Sequence, residues 1–107
     1  MQQTYAVIVE GKNDRYRIQQ ILPPTIPVYV TYGIPNHTQL ERLRKEAGLR
    51  QVIILTDQDA AGQRIRRLLR EVFPDAINIY TKRSYNGVEH TPVEYLAQRF
   101  RRVGLIP

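Results

Sequence analysis

The sequence contains no cysteine. That excludes disulfides and thiolate metal sites, so any metal must be held by oxygen or by histidine nitrogen. The same absence fits a reducing compartment, and a cytoplasmic location is expected. No apolar run approaches membrane-spanning length, so no membrane role is expected. Met1 leads into Gln2, Gln3 and a strand-like run, not a charged segment followed by an apolar one, and no signal peptide is expected. Repeats, linkers and low-complexity tracts are also missing. Lysine is scarce: of the sixteen basic residues only Lys12, Lys45 and Lys82 are lysines. The rest are arginines, whose planar forks suit phosphate oxygens. The formal net charge of +6 points to a polyanionic partner such as nucleic acid, the plainer alternative being a solvated basic surface.

What is present is enough for one domain, expected to span 1–107. Its organising stretch is Val52-Ile53-Ile54-Leu55-Thr56-Asp57-Gln58-Asp59-Ala60-Ala61-Gly62. Val52 to Leu55 is short, β-branched and uninterrupted, as in a strand buried on both faces. Two carboxylates, Asp57 and Asp59, follow it, and then a helix from Gly62 to Arg70. That helix is expected to bury Ala61, Ile65, Leu68 or Leu69, and Val72, with Arg64, Arg66, Arg67 and Arg70 on its other faces. Upstream, Tyr5 to Val9 reads as a first strand, ending at Glu10-Gly11. A helix starting at Asn13 or Asp14 follows, with Ile18, Ile21 and Leu22 inward, and Pro23-Pro24 stops it.

Pro27 to Thr31 reads as a second strand. After a loop, a helix runs to about Ala47, burying Leu40 and Leu43 and closing at Gly48. Ala76 to Tyr80 is a fourth strand. The loop from Thr81 to His90 carries Lys82, Arg83 and the tetrad Gly87-Val88-Glu89-His90. Thr91-Pro92-Val93-Glu94 has the form of a capping box with proline at the first helical position, opening a helix that packs Val93, Leu96, Ala97 and Phe100. Strand and helix alternate four times, which predicts an α/β fold: a Rossmann-like open sheet of about four parallel strands with helices on both faces. If the first and third strands are neighbours with the second outside the first, Glu10, Asp57 and Asp59 converge at the switch-point crevice where such sheets bind ligands. Like charges that close need a cation or donors, and a divalent metal suits oxygen ligands. The alternative for Asp59 is a helix cap.

Val7-Ile8-Val9-Glu10-Gly11-Lys12-Asn13-Asp14 and Leu55-Thr56-Asp57-Gln58-Asp59-Ala60-Ala61-Gly62 together resemble the two motifs of the Toprim domain, the metal-dependent domain of topoisomerases, bacterial primases and several nucleases. Gly62-Gln63-Arg64-Ile65-Arg66-Arg67 and Gly87-Val88-Glu89-His90 resemble segments of the bacterial ribonuclease that matures 5S ribosomal RNA precursors. Gln58 stands where that group usually has proline, and the chain ends soon after the last helix, where the ribonuclease has a further C-terminal region. The resemblance implies that Asp57 and Asp59 hold Mg²⁺, with Mn²⁺ as a substitute, and that Glu10 is a metal ligand or acid/base.

A metal at these carboxylates would supply charge stabilisation and an activated water for phosphodiester cleavage, acting on structured RNA in preference to DNA. Glu89 could be a further ligand or only a loop acid, and Asp14 a ligand or a cap. Lys12, Arg64, Arg67 and His90 are candidates for contacts to nucleic acid. Tyr32 and Tyr85 could stack on bases or simply pack. The rival is a non-catalytic Toprim module that binds metal and nucleic acid and leaves the chemistry to a partner. A surface this small also makes a homodimer or a partner protein an expectation.

Overall fold

The computed structural model describes residues 3–107. Four strands, β1 (Tyr5–Val9), β2 (Val28–Val30), β3 (Gln51–Leu55) and β4 (Ile77–Ile79), form one sheet in the order β2-β1-β3-β4. Every pairing is parallel, with Ile8 opposite both Tyr29 and Ile54. The two central strands are the most apolar, and Ala6 to Val9 and Ile53 to Leu55 are fully buried. The chain leaves β1 toward β2 on one side and reaches β3 on the other, so the switch point lies between the carboxyl ends of β1 and β3. The expected topology is the one observed.

Strand alternation divides the core. Val7, Val9, Ile53 and Leu55 face α1 (Lys12–Gln19) and α4 (Val93–Arg102), meeting Ile18, Leu96 and Phe100. Ile8, Val52 and Ile54 face α2 (His37–Ala47) and α3 (Ala60–Val72), meeting Leu40, Leu43, Ile65 and Leu69. Helices therefore cover both faces, as parallel strands require. The segment after α4 is a packed end, with Leu105 buried and Ile106 against the same core.

Several element limits differ from expectation. The outer strands are shorter, three residues each, since each pairs along one edge only. Helix α1 begins at Lys12 after Gly11, and Asp14 is its third residue, accepting from the Gly11 N–H at 3.1 Å; Ile21 and Leu22 lie beyond its end. In α2, Asn36 and Gln39 exchange side-chain bonds with each other's N–H at 2.9 and 3.0 Å, a capping box that fixes the start. Helix α3 is longer at both ends than Gly62–Arg70: Asp59 caps its start, and it runs on to Val72. Ala61 is exposed and Arg66 is buried. The Thr91 capping box does not form: the Thr91 hydroxyl donates to the Gly87 carbonyl at 2.7 Å, and Val93 is exposed.

Candidate metal centre

The carboxylates at the sheet's carboxyl rim are held by backbone donors. Glu10, the residue after β1, accepts from the Asp57 N–H at 2.6 Å through Oε1. Asp57, two residues past β3, accepts from the Val88 N–H at 2.9 Å through Oδ1. Asp59 caps α3, accepting from the Gly62 N–H at 2.7 Å. The three acids thus stand in a row with Asp57 in the middle. On one side of it lies an open cleft of about 520 Å³ lined by Glu10, Lys12, Asp14, Tyr32, Glu89 and His90. On the other lies a cleft of about 330 Å³ lined by Asp59, Gln58, Thr81, Lys82 and Arg83. Asp57 and Gly87 line both.

Two glycines make this packing possible. A Cβ at Gly62 would lie 2.1 Å from the Asp57 carbonyl oxygen and 2.7 Å from Glu10 Oε1, distances no side chain tolerates. Gly87 has φ +100, and a Cβ there would sit 3.1 Å from both Asp57 carboxylate oxygens. Gly87 is what lets the following N–H, that of Val88, reach Asp57. The turn is tied down by the Thr91 hydroxyl on the Gly87 carbonyl, and by an Arg17 guanidinium N–H donated to the Thr91 carbonyl.

Electrostatics mark the same place. Burial pushes the Glu10 carboxyl up to about 7; the bond from Asp57 N–H opposes this, and the negative charges of Asp57, Asp59 and Asp14 add to it. Burial likewise raises Asp14 to about 6, with the charge of Asp57 next, the Gly11 N–H opposing and Glu89 contributing. Such shifts gather at functional sites.

Behind the acids, Arg66 is 5% exposed. Its guanidinium donates to the carbonyls of Ile54, Thr56 and Ile79 at 3.2, 3.3 and 2.8 Å and to Asn78 Oδ1 at 2.9 Å, and its Cζ stands 4.2 Å from the centre of the Tyr80 ring. Burial pulls its pKa below the ordinary arginine value, but a guanidinium stays charged. It stitches β3 to β4 and places a fixed positive charge under the acidic rim.

The donor set fits a hard divalent cation. All donors are carboxylate oxygens, the class such ions prefer. The second oxygens, Glu10 Oε2, Asp57 Oδ2 and Asp59 Oδ2, carry no protein hydrogen bond among the described residues. Burial raises Glu10 and the neighbouring carboxylates add to it, and a cation would relieve both. Among the described residues, no three His, Asp or Glu side chains are already gathered as a cage.

The Toprim domain profile matches residues 5–86. The chain belongs to the Toprim family. It is 31% identical over 99 residues to the uncharacterized protein YusF of Bacillus subtilis (strain 168), covering 92% of this chain and 68% of that one. It is 29% identical to Ribonuclease M5 of Lactococcus lactis subsp. lactis (strain IL1403) over 106 residues, 91% of this chain and 50% of the relative. It is 31% identical to Ribonuclease M5 of Bacillus subtilis (strain 168) over 97 residues, 82% and 51%. The chain thus spans about half the length of these two ribonucleases. The solved small TOPRIM domain protein of Bacillus stearothermophilus superposes with a TM-score of 0.85 at 32% identity, covering 96% of this chain and 87% of that one.

In this Toprim chain, Glu10 and Asp57 are brought into contact, Asp59 flanks them, and Lys12, Glu89 and His90 share the larger cleft. Arg64 and Arg67 are exposed on α3 and line neither cleft. Sequence reasoning left Asp14 open and missed Arg66 and the Val88 N–H. A signal for Arg66 existed: Gly62, Ile65, Arg66 and Leu69 fall at i, i+3, i+4 and i+7, the buried stripe of α3. Tyr85, one of the two tyrosines left open between stacking and packing, meets Tyr95 edge to face at 5.5 Å. No helix among the described residues is long and apolar enough to cross a membrane.

Proposed function

We propose that this Toprim chain carries out divalent-metal-dependent cleavage of nucleic acid, with structured RNA favoured over DNA as substrate. The observation that carries the reading is the row Glu10–Asp57–Asp59, with each acid's second oxygen left without a protein partner among the described residues. RNA is favoured because ribonucleases are among the relatives. Asp57 and Asp59 hold Mg²⁺, with Mn²⁺ able to replace it, and Glu89 adds a ligand from the far wall. When bound, the ion stabilises charge on the phosphate and lowers the pKa of a coordinated water. Glu10, placed beside Asp57 by its hydrogen bond to the Asp57 N–H, is positioned to exchange a proton with that water. Its Oε1 stays on the Asp57 N–H, and Oε2 positions and deprotonates the attacking water. Lys12 and His90 hold the phosphate backbone along the larger cleft, and Arg64 and Arg67 extend the positive surface outside it.

A second reading rests on the chain's spanning about half the length of the two ribonucleases. Here the domain binds metal and nucleic acid while a second copy or a partner protein completes the chemistry. The two readings separate in one assay. Incubation of the isolated protein with structured RNA, single-stranded RNA and duplex DNA in Mg²⁺, Mn²⁺ or EDTA should show metal-dependent loss of intact RNA. Binding without cleavage in any metal selects the second reading. Neither binding nor cleavage contradicts both.

A further inference from the structure

Tyr32 stands at the lip of the larger cleft, just past β2, and its ring is not packed: the residue is 66% exposed. Its backbone lies in the left-handed region, φ +54, which residues with a bulky side chain rarely adopt. Its N–H donates to the Glu10 carbonyl at 2.8 Å, a bond that any residue except proline would make. Neither burial nor backbone preference therefore accounts for tyrosine at this position. Glycine or asparagine would hold the same turn with less strain. Strain retained beside a reactive site is characteristic of residues that serve a ligand. Lys12 lines the same cleft, so an aromatic face and an ammonium group flank the carboxylates together. That pairing suits a nucleotide, whose base stacks and whose phosphate is anionic. Tyr85 offers no such face, because its ring is engaged by Tyr95, with the Lys82 ammonium 5.9 Å from its centre.

Building on the cleavage reading, we infer that Tyr32 is a base-stacking platform, and that the substrate presents an unpaired base beside the phosphate held at the carboxylates. A single strand, a bulge or a frayed end satisfies this; a continuous duplex keeps its base faces covered.

The test uses short single-stranded RNA and DNA carrying 2-aminopurine, and the same strands as duplexes, titrated with wild-type protein and with Tyr32→Phe, Tyr32→Ala and Tyr32→Gly. Ca²⁺ replaces Mg²⁺ and the melting temperature of each variant is measured in parallel. Wild type and Tyr32→Phe should quench 2-aminopurine and prefer single strands. Tyr32→Ala and Tyr32→Gly should lose the quench and bind about tenfold or more weakly, with Tyr32→Gly melting no lower than wild type. The inference is overturned if Tyr32→Ala binds and quenches like Tyr32→Phe. A Tyr32→Gly melting temperature well below wild type also overturns it, since the ring would then be a packing element. If wild type binds neither RNA nor DNA, the cleavage reading falls and this inference with it. If wild type binds and only the tyrosine variants are indifferent, this inference falls alone.

Discussion

Glu10 and Asp57, forty-seven residues apart, meet through a 2.6 Å hydrogen bond from the Asp57 N–H to Glu10 Oε1. That bond fixes the end of β1 to the end of β3, so the first motif is positioned by the backbone of the second. Its consequence is that Glu10 can be displaced without touching Glu10. Gly62→Ala puts a methyl group against the Asp57 carbonyl and Glu10 Oε1. Overpacking at such a point costs about 1–3 kcal/mol or more. The expected result in denaturant unfolding is a destabilised protein, and calorimetry should show weakened Mg²⁺ binding alongside it. A Gly62→Ala protein with unchanged stability and unchanged metal affinity contradicts the geometry.

Gly87 separates positioning from folding. Alanine there meets both left-handed strain and the Asp57 carboxylate at 3.1 Å, which moves the Val88 N–H off Asp57. Loss of an outer partner of a metal ligand typically weakens binding about 10- to 100-fold. Gly87→Ala should show that loss in a Mn²⁺ titration while retaining a cooperative melt.

Arginines on α3 are predicted to divide by burial. Arg66→Ala leaves the carbonyls of Ile54, Thr56 and Ile79 without their donor, and a buried acceptor left unsatisfied costs about 1–3 kcal/mol. Arg64→Ala and Arg67→Ala, both exposed, should change stability by no more than about 0.5 kcal/mol while weakening nucleic-acid binding and flattening its salt dependence. Urea unfolding and filter binding check the two halves.

The acid cluster makes the metal-free protein's stability depend on pH in a defined direction. The folded-state values of Glu10 and Asp14 are raised to about 7 and about 6, above their unfolded values. The native state therefore binds more protons than the unfolded chain between those limits, and stability falls as pH rises through them. In EDTA the melting temperature should drop between roughly pH 4.5 and pH 7, and Asp14→Asn should make that drop shallower. Mg²⁺ should reverse the trend, because deprotonated acids bind it. A melting temperature that rises with pH in EDTA over this range opposes the assigned burial of these groups.

The sheet was legible because its central strands are short apolar runs rich in valine and isoleucine, as in strands buried on both faces of a parallel interior. The chain order of Glu10 and the Asp57–Asp59 pair then placed the acids at one rim. Arg66 was misassigned because a charge on a helix is ordinarily solvated; its partners, the carbonyls at the ends of β3 and β4, the Asn78 side chain and the Tyr80 ring, are brought to it only by tertiary structure. Thr91 was misassigned for a related reason: its hydroxyl finds the Gly87 carbonyl, a contact created by the loop's path. The hydrogen bond from Val88 to Asp57 involves a backbone group, which side-chain chemistry cannot reveal, although the glycine before it hinted at an unusual turn.

The central claim is that the meeting of the two motifs is a divalent-metal site. Its most direct test is a calorimetric titration of Mg²⁺ and Mn²⁺ into the wild-type protein and into Asp57→Asn/Asp59→Asn. Binding in the wild type that the double variant loses, with its fold intact by circular dichroism, is the predicted result. Equal heats in the two proteins would contradict the account, because the metal would then be held elsewhere.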